Sequence, residues 1–246
     1  MLTALALASC PSADAQPQAP IVINVENSAG PYSRGENGKP VGLAYELVAA
    51  VFSEAKINVE YRLMPYARCM AQTKRGNGAG CITTAKNKEN LADFAWHSKP
   101  FVQQKMAIVV RAEFGEGSLK LNDLYGHKVI AVNGYTYADD YYIAKPHLKL
   151  ENAVNDVVAL QMLKKKRADY AILEERIMAF NMATEPVLKA LGGKFRVAGY
   201  LNPLDGYVSF SKTEPGLEKL ITAFDEAQAR LERSGALAAI LKRHDF

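Results

Sequence analysis

An α/β fold is predicted by three observations. Short β-branched runs at Ile21–Val25, Ile57–Arg62 and Cys81–Thr84 read as buried strands. The stretches between them carry apolar residues at helical spacing. The resulting β-α-β-α-β order starts again beyond Met106, and such alternation gives a mainly parallel sheet covered by helices. With 246 residues, 49% hydrophobic and 23% charged, the chain has ample material for a core, as one large domain or two smaller lobes.

The elements follow in order. Ile21–Val25 leads into a turn-rich loop from Pro31 to Pro40, punctuated by Gly35 and Gly38. Leu47, Val48, Val51 and Phe52 mark the first amphipathic helix. The Ile57–Arg62 strand, an Ala67–Lys74 helix and the Cys81–Thr84 strand come next, then the strongly apolar Met106–Val110. The second half offers a Val129–Val132 strand, a turn at Gly134 and a Tyr137–Ile143 helix. A helix with Val154, Val158 and Met162 on one face precedes the strand Tyr170–Leu173. Phe195–Ala198 and Tyr207–Phe210 lead to a helix burying Leu217, Leu220, Ile221, Phe224 and Leu231, which Gly235 separates from Leu237–Leu241. Ligands of such sheets sit at the carboxyl ends of strands. Tyr32, Tyr66, Arg68, Thr83 and Thr84 all fall there.

Composition narrows the function. The net charge of +4 is mild, and the single basic run, Lys164-Lys165-Lys166-Arg167, has no interleaved aromatics, which argues against nucleic-acid binding. His97, His127, His147 and His244 are scattered without metal-ligand spacing. There is no G-x-S-x-G elbow, and Gly76–Gly80 lacks the Lys-Ser/Thr of a phosphate loop. No cofactor, metal or catalytic set is therefore expected.

The first 20 residues read as an export leader. Met1–Ser9 is apolar and rich in small residues, and Ala13-Asp14-Ala15 supplies an A-x-A cleavage site. Leu7-Ala8-Ser9-Cys10 also fits a lipobox, which would place a lipid on Cys10. No later stretch reaches the ~20 apolar residues of a membrane helix. Cys69 and Cys81 then remain as one pair, on a helix and the strand after it, close enough in sequence for a disulfide. An oxidising compartment permits that bond; two buried free thiols are the alternative.

Four motifs stand in a telling order: Gly38-Lys39-Pro40-Val41-Gly42-Leu43, Pro65-Tyr66-Ala67-Arg68, Gly80-Cys81-Ile82-Thr83-Thr84 and Ser98-Lys99-Pro100-Phe101. Together they resemble the first lobe of the bacterial extracellular solute-binding proteins of family 3. The resemblance implies a two-lobed, type II periplasmic-binding-protein fold, each lobe a mixed, mainly parallel sheet with flanking helices, joined by a two-strand hinge. Residues 21–104 plus 200–246 would form lobe 1 and residues 105–199 lobe 2. It further implies a periplasmic monomer that closes on a small polar, amino-acid-like solute and hands it to an inner-membrane ABC permease. A cyclohexadienyl-dehydratase-like lyase and a ligand-sensing module for a membrane receptor are the alternatives on the same fold.

The resemblance also assigns roles. Thr83 and Thr84 match the hydroxyl pair that holds the ligand carboxylate, and Gly134 and Thr136 the turn on its far side. Tyr32 and Tyr66 match aromatic walls, and Glu174 the acid that pairs with the ligand ammonium. One departure stands out: no arginine lies between Arg75 and Arg111, where the family places its carboxylate grip. Arg68, Lys86 or Lys88 would have to supply the cation, and a lysine is a point charge without the planar fork of arginine.

Overall fold

The computed structural model describes residues 19–191 and 194–245. The leader features at Cys10 and Ala13-Asp14-Ala15 lie outside them. The chain begins with β1 (Ile21–Glu26), a small antiparallel sheet of β2 (Ser28–Ala29), β3 (Ser33–Glu36) and β4 (Lys39–Val41), and helix α1 (Leu43–Glu54). It continues through β5 (Val59–Met64), α2 (Tyr66–Lys74), β6 (Gly80–Ala85), β7 (Phe94–Trp96) and β8 (Val102–Gln104). It then crosses at Lys105 into β9 (Met106–Arg111), β10 (Lys128–Val132), α3 (Asp139–Ala144), β11 (Lys149–Ala153) and α4 (Asp156–Lys164). β12 (Tyr170–Glu174), α5 (Glu175–Thr184), α6 (Pro186–Lys189) and β13 (Phe195–Tyr200) complete that half. The return crossing leads to β14 (Leu204–Ser211), α7 (Leu217–Ser234) and α8 (Ala236–Arg243).

These strands form two principal sheets, one per lobe. The first runs β5-β1-β6-β14-β7, with β8 also paired to β14. The second runs β11-β10-β12-β9-β13. In each, three neighbouring strands are parallel, and one crossing strand, β14 in the first sheet and β9 in the second, runs antiparallel beside them. The mixed, mainly parallel character follows from the βαβ units, since parallel neighbours need a helical crossover. Each sheet has its own core. Ile23, Val48, Phe52, Phe210 and Phe224 fill the first, and Ile108, Ile130, Leu160 and Ile172 belong to the packing on the two faces of the second. Ile177 of α5 is an exception: it leaves the second lobe to pack in the core of the first.

Local chemistry explains where the structure departs from the expected elements. The turn-rich loop contains the β3–β4 hairpin, turned by Asn37-Gly38 with φ of 51° and 75°. Two left-handed residues match the twist of the flanking strands, and Asn-Gly is the pair that tolerates them. α3 begins at Asp139 instead of Tyr137, so Gly134 and Thr136 occupy an irregular stretch ahead of the helix and not its N-terminus. Val154 lies outside α4 and is 77% exposed, because Asn155 caps the helix, its side chain accepting from the Val158 N–H at 2.9 Å. Strand β11 and helix α5 had no counterpart in the sequence reading. Lys149–Ala153 lacks a β-branched run, and α5 has a weak apolar face because one side packs on the opposite lobe.

Cys69 of α2 and Cys81 of β6 form a disulfide with a Cα–Cα distance of 5.7 Å. Both are fully buried beneath Tyr66 and beside Met70. Closing a loop with a sequence separation of 12 restricts the unfolded chain by about 3 kcal/mol in the chain-entropy model. Urea unfolding of the Cys69→Ala/Cys81→Ala double variant should accordingly show a loss of about that size. An unchanged denaturation midpoint would show that the bond adds nothing to the fold.

Candidate functional site

The carboxyl ends of the parallel strands of both sheets face one another across the two crossings. Glu26 ends β1, Thr83 lies near the end of β6, Glu174 ends β12, and Tyr135 follows β10. These four line one cavity together with Tyr66 and Thr136, and Gln104, Met106 and Leu204 from the crossings form its floor. At this cavity the lobes leave about 30 Å³ between them, on the order of two water molecules. They are therefore shut on each other.

The shut state is held by hydrogen bonds that span the lobes. Tyr32 donates its hydroxyl to Glu174 Oε1 at 3.0 Å. The Tyr66 and Thr136 hydroxyls lie 2.8 Å apart. Tyr135 reaches from lobe 2 to Glu26 Oε1 at 3.1 Å. At the rim the Asn87 side chain donates to the Tyr137 carbonyl at 2.7 Å, and the Lys88 N–H donates to Asp139 Oδ1 at 3.0 Å. Close backbone approach makes this possible at Gly134, whose φ is 78° and where an added Cβ would stand 2.7 Å from that of Ala67.

Glu174 is 2% exposed and acts first as a helix cap. Its Oε2 accepts the Ile177 N–H at 2.8 Å, and its Oε1 also takes the Lys105 N–H at 3.3 Å, tying the cap to the first crossing. Burial raises its pKa against the pull of these donors. Tyr32, fully buried against it, is likewise pushed up by burial and by the Glu174 charge.

Thr83 departs from strand geometry. β6 spends Ile82 and Thr83 where β14 spends Val208 alone, a bulge that shifts the register between Tyr207 and Ser209. Thr83 has φ of 61°, a left-handed conformation costly for a β-branched residue. The result aims its side chain into the cavity, where Oγ1 is buried without a hydrogen-bond partner. Thr84 turns the other way: its hydroxyl meets Ser209 Oγ at 3.0 Å and the Cys81 carbonyl at 3.2 Å. Arg68 is exposed on α2 and does not line the cavity. Lys86 sits on the flank, over the rings of Tyr207 at 5.0 Å and Trp96 at 5.6 Å. Of the residues singled out from sequence, the structure thus gathers Tyr66, Thr83, Thr136 and Glu174 around the cavity, with Tyr32 behind Glu174.

Sequence reasoning missed three groups. Glu26 is 5% exposed and Asp156 1% exposed, and the Tyr135 hydroxyl lies between them, 3.1 Å from Glu26 Oε1 and 2.9 Å from Asp156 Oδ2. Burial, then the Asp156 charge, pushes Glu26 up to about 8, against the hydrogen bond from Tyr135. Burial also raises Asp156, to about 6. Glu26 had a readable signal, since it closes the first strand at the end where ligands bind. Asp156 had none, because a first-turn acid after an Asn cap is the ordinary start of a helix.

The family model for bacterial extracellular solute-binding proteins, family 3, matches residues 21–245. No curated protein matches the chain. Among solved structures, a histidine kinase sensor domain with similarity to periplasmic binding proteins superposes with a TM-score of 0.80 at 20% identity, over 92% of this chain and 95% of that one. The arginine-, lysine-, histidine-binding protein ArtJ from Geobacillus stearothermophilus gives 0.74 at 18%, over 91% and 94%. The amino acid ABC transporter substrate-binding protein AbpA from Streptococcus pneumoniae, bound to L-arginine, gives 0.72 at 20%, over 92% and 94%. At these identities the structural likeness is one of fold.

The two raised carboxyls set a pH dependence of known sign. The folded state holds protons that the unfolded chain has released, so this contribution is fully present below about pH 4 and is lost as pH rises through about 6 and about 8. Glu26→Gln should flatten the decline in melting temperature across that window and stabilise the protein above about pH 8. Parallel pH profiles for the variant and the parent would show that Glu26 is ionised and solvated in the folded state.

Proposed function

Since this chain belongs to the bacterial extracellular solute-binding proteins of family 3, we propose that it captures a small polar, amino-acid-like solute between its lobes, in the periplasm, and presents the closed form to an ABC permease. The carrying observation is the cavity at the carboxyl ends of both parallel strand sets, walled by each lobe and floored by the crossings. A solute that touches both walls stabilises the shut form over the open one, which a solute held by one wall cannot do. The hinge lies at Lys105 and at residues 201–203, the short connections between β8 and β9 and between β13 and β14. Lobe 1 is taken as 21–104 plus 200–246 and lobe 2 as 105–199.

The proposed contacts follow from position. Glu174 faces the solute with Tyr32 behind it, Thr83 offers an unengaged hydroxyl from the opposite lobe, and Tyr66 with Thr136 closes the far side. Opening would free each of these partners for the solute, so the interlobe hydrogen bonds mark where its polar atoms go. Lys86 and Arg68 remain candidates for the rim of the open cleft. A monomer suffices, since one chain supplies both walls.

A sensing role is the second reading, favoured by the histidine kinase sensor domain among the similar folds. The family and the two other structures named above are binding proteins, which favours binding over the lyase reading. Loss of solute uptake on deletion of the gene marks the transport role. Loss of a transcriptional response with uptake intact marks the sensor.

A thermal-shift screen of polar solutes tests the binding reading, because a ligand at 100-fold excess over its Kd stabilises by about 2.7 kcal/mol. For a protein of this size that is a rise of roughly 5–10 °C. Small-angle scattering should show the open form contracting with the same solute. Glu174→Gln should weaken that solute roughly tenfold or more through the lost charge. Glu174→Ala should in addition lower the melting temperature, since it removes the cap of α5. If no solute shifts either measurement, solute capture is not its function.

A further inference from the structure

The charged residues that line the cavity are acidic. None of its lining residues is Lys, Arg or His, while Glu26 and Glu174 both face it. Behind Glu26 stands Asp156, and the Tyr135 hydroxyl between these carboxyls has a single hydrogen for two acceptors. With both carboxylates ionised, one oxygen would point at the phenol oxygen with nothing to donate. One proton must therefore sit on the pair, letting Tyr135 donate to one carboxyl and accept from the other. Two further atoms wait for a donor or a charge: Thr83 Oγ1 on the cavity wall and Asp156 Oδ1 behind it, both buried and unpartnered.

We infer that the solute is an organic cation that needs no carboxylate of its own, an alkylammonium or guanidinium compound, and that its charged group takes the place of the proton shared by Glu26 and Asp156. This rests on the solute-binding reading above and narrows it. No covalent bond to carbon changes. The carboxyl O–H ionises, its proton leaves to bulk solvent, and the N–H groups of the cation donate to Glu26 and to Thr83 Oγ1. Net charge in the cleft is conserved, so closure onto the cation costs no unpaired buried charge. The titratable groups facing Glu26 are Tyr66 from α2, Tyr135 from the segment after β10 and Asp156 from α4; those facing Asp156 are Tyr135 and Tyr137. None of them brings a positive charge. The raised carboxyl pKa values agree with a proton resident near neutrality.

The test is calorimetry with n-butylamine and n-butylguanidine, each a single cation near pH 7, against L-arginine, L-glutamine and L-glutamate, in buffers of different ionisation enthalpy. We expect the two carboxylate-free cations to bind, with release of about one proton near pH 7 and an affinity that rises about tenfold per pH unit below the pair's apparent pKa. Glu26→Gln should abolish the proton release and weaken binding roughly thirtyfold or more. Asp156→Asn should also remove the pH dependence, and circular dichroism should confirm that both variants fold. Binding of the neutral or anionic amino acids alone would overturn the inference while leaving solute capture intact. Cation binding without proton uptake or release would overturn the proton exchange. Failure of every solute, in the wider screen as well, would remove both readings.

Discussion

One hydroxyl hydrogen shared between two buried carboxyls is the constraint around which this cleft is arranged. Glu26 belongs to the first lobe, and Tyr135 and Asp156 belong to the second, so the conflict exists only when the lobes meet. Buried anions of like charge cannot both ionise at this range without a cation or a proton between them. Shutting the molecule and settling its charge are therefore one event. The second cross-lobe pair, Tyr32 with Glu174, avoids the conflict because Glu174 also receives two backbone N–H groups. One carboxyl is thus firmly satisfied by the scaffold, while the other rests on the shared Tyr135 hydroxyl.

The scaffold holds these groups with little freedom. Tyr66 stands on the first turn of α2 and meets Tyr135 edge to face at 5.6 Å. The Thr83 bulge stores backbone strain at the point where its hydroxyl is presented. Helix α5 carries the Glu174 cap and inserts Ile177 into the core of the opposite lobe, while the Phe180 ring lies over Gly30 where no side chain stands in its way. α5 is therefore the element most exposed to any motion of one lobe against the other.

Much of this was legible in the sequence, for physical reasons that can be named. β-branched runs such as Ile21–Val25 and Met106–Val110 are buried strands because little else accommodates them, and the βαβ order follows from their parallel pairing. That Tyr66, Thr83, Thr136 and Glu174 share a cavity could be anticipated because this architecture opens its cleft at strand ends. The direction of a side chain was not legible. Thr83 and Thr84 look alike in sequence, yet a one-residue bulge sends Thr83 to the cavity and Thr84 to Ser209. Asp156 was invisible because its partner lies 21 residues away across a turn, and only the packed second lobe brings them together. The Asn37-Gly38 hairpin, by contrast, carried a signal in its dipeptide that the surrounding glycines and prolines obscured.

The Cys69–Cys81 bond fastens the helix bearing Tyr66 to the strand bearing Thr83, so it couples two walls of the cleft as well as two points of the chain. A thiol–disulfide environment that opened it would release the tie between those two walls. How firmly those walls are held is then a property of where the chain matures.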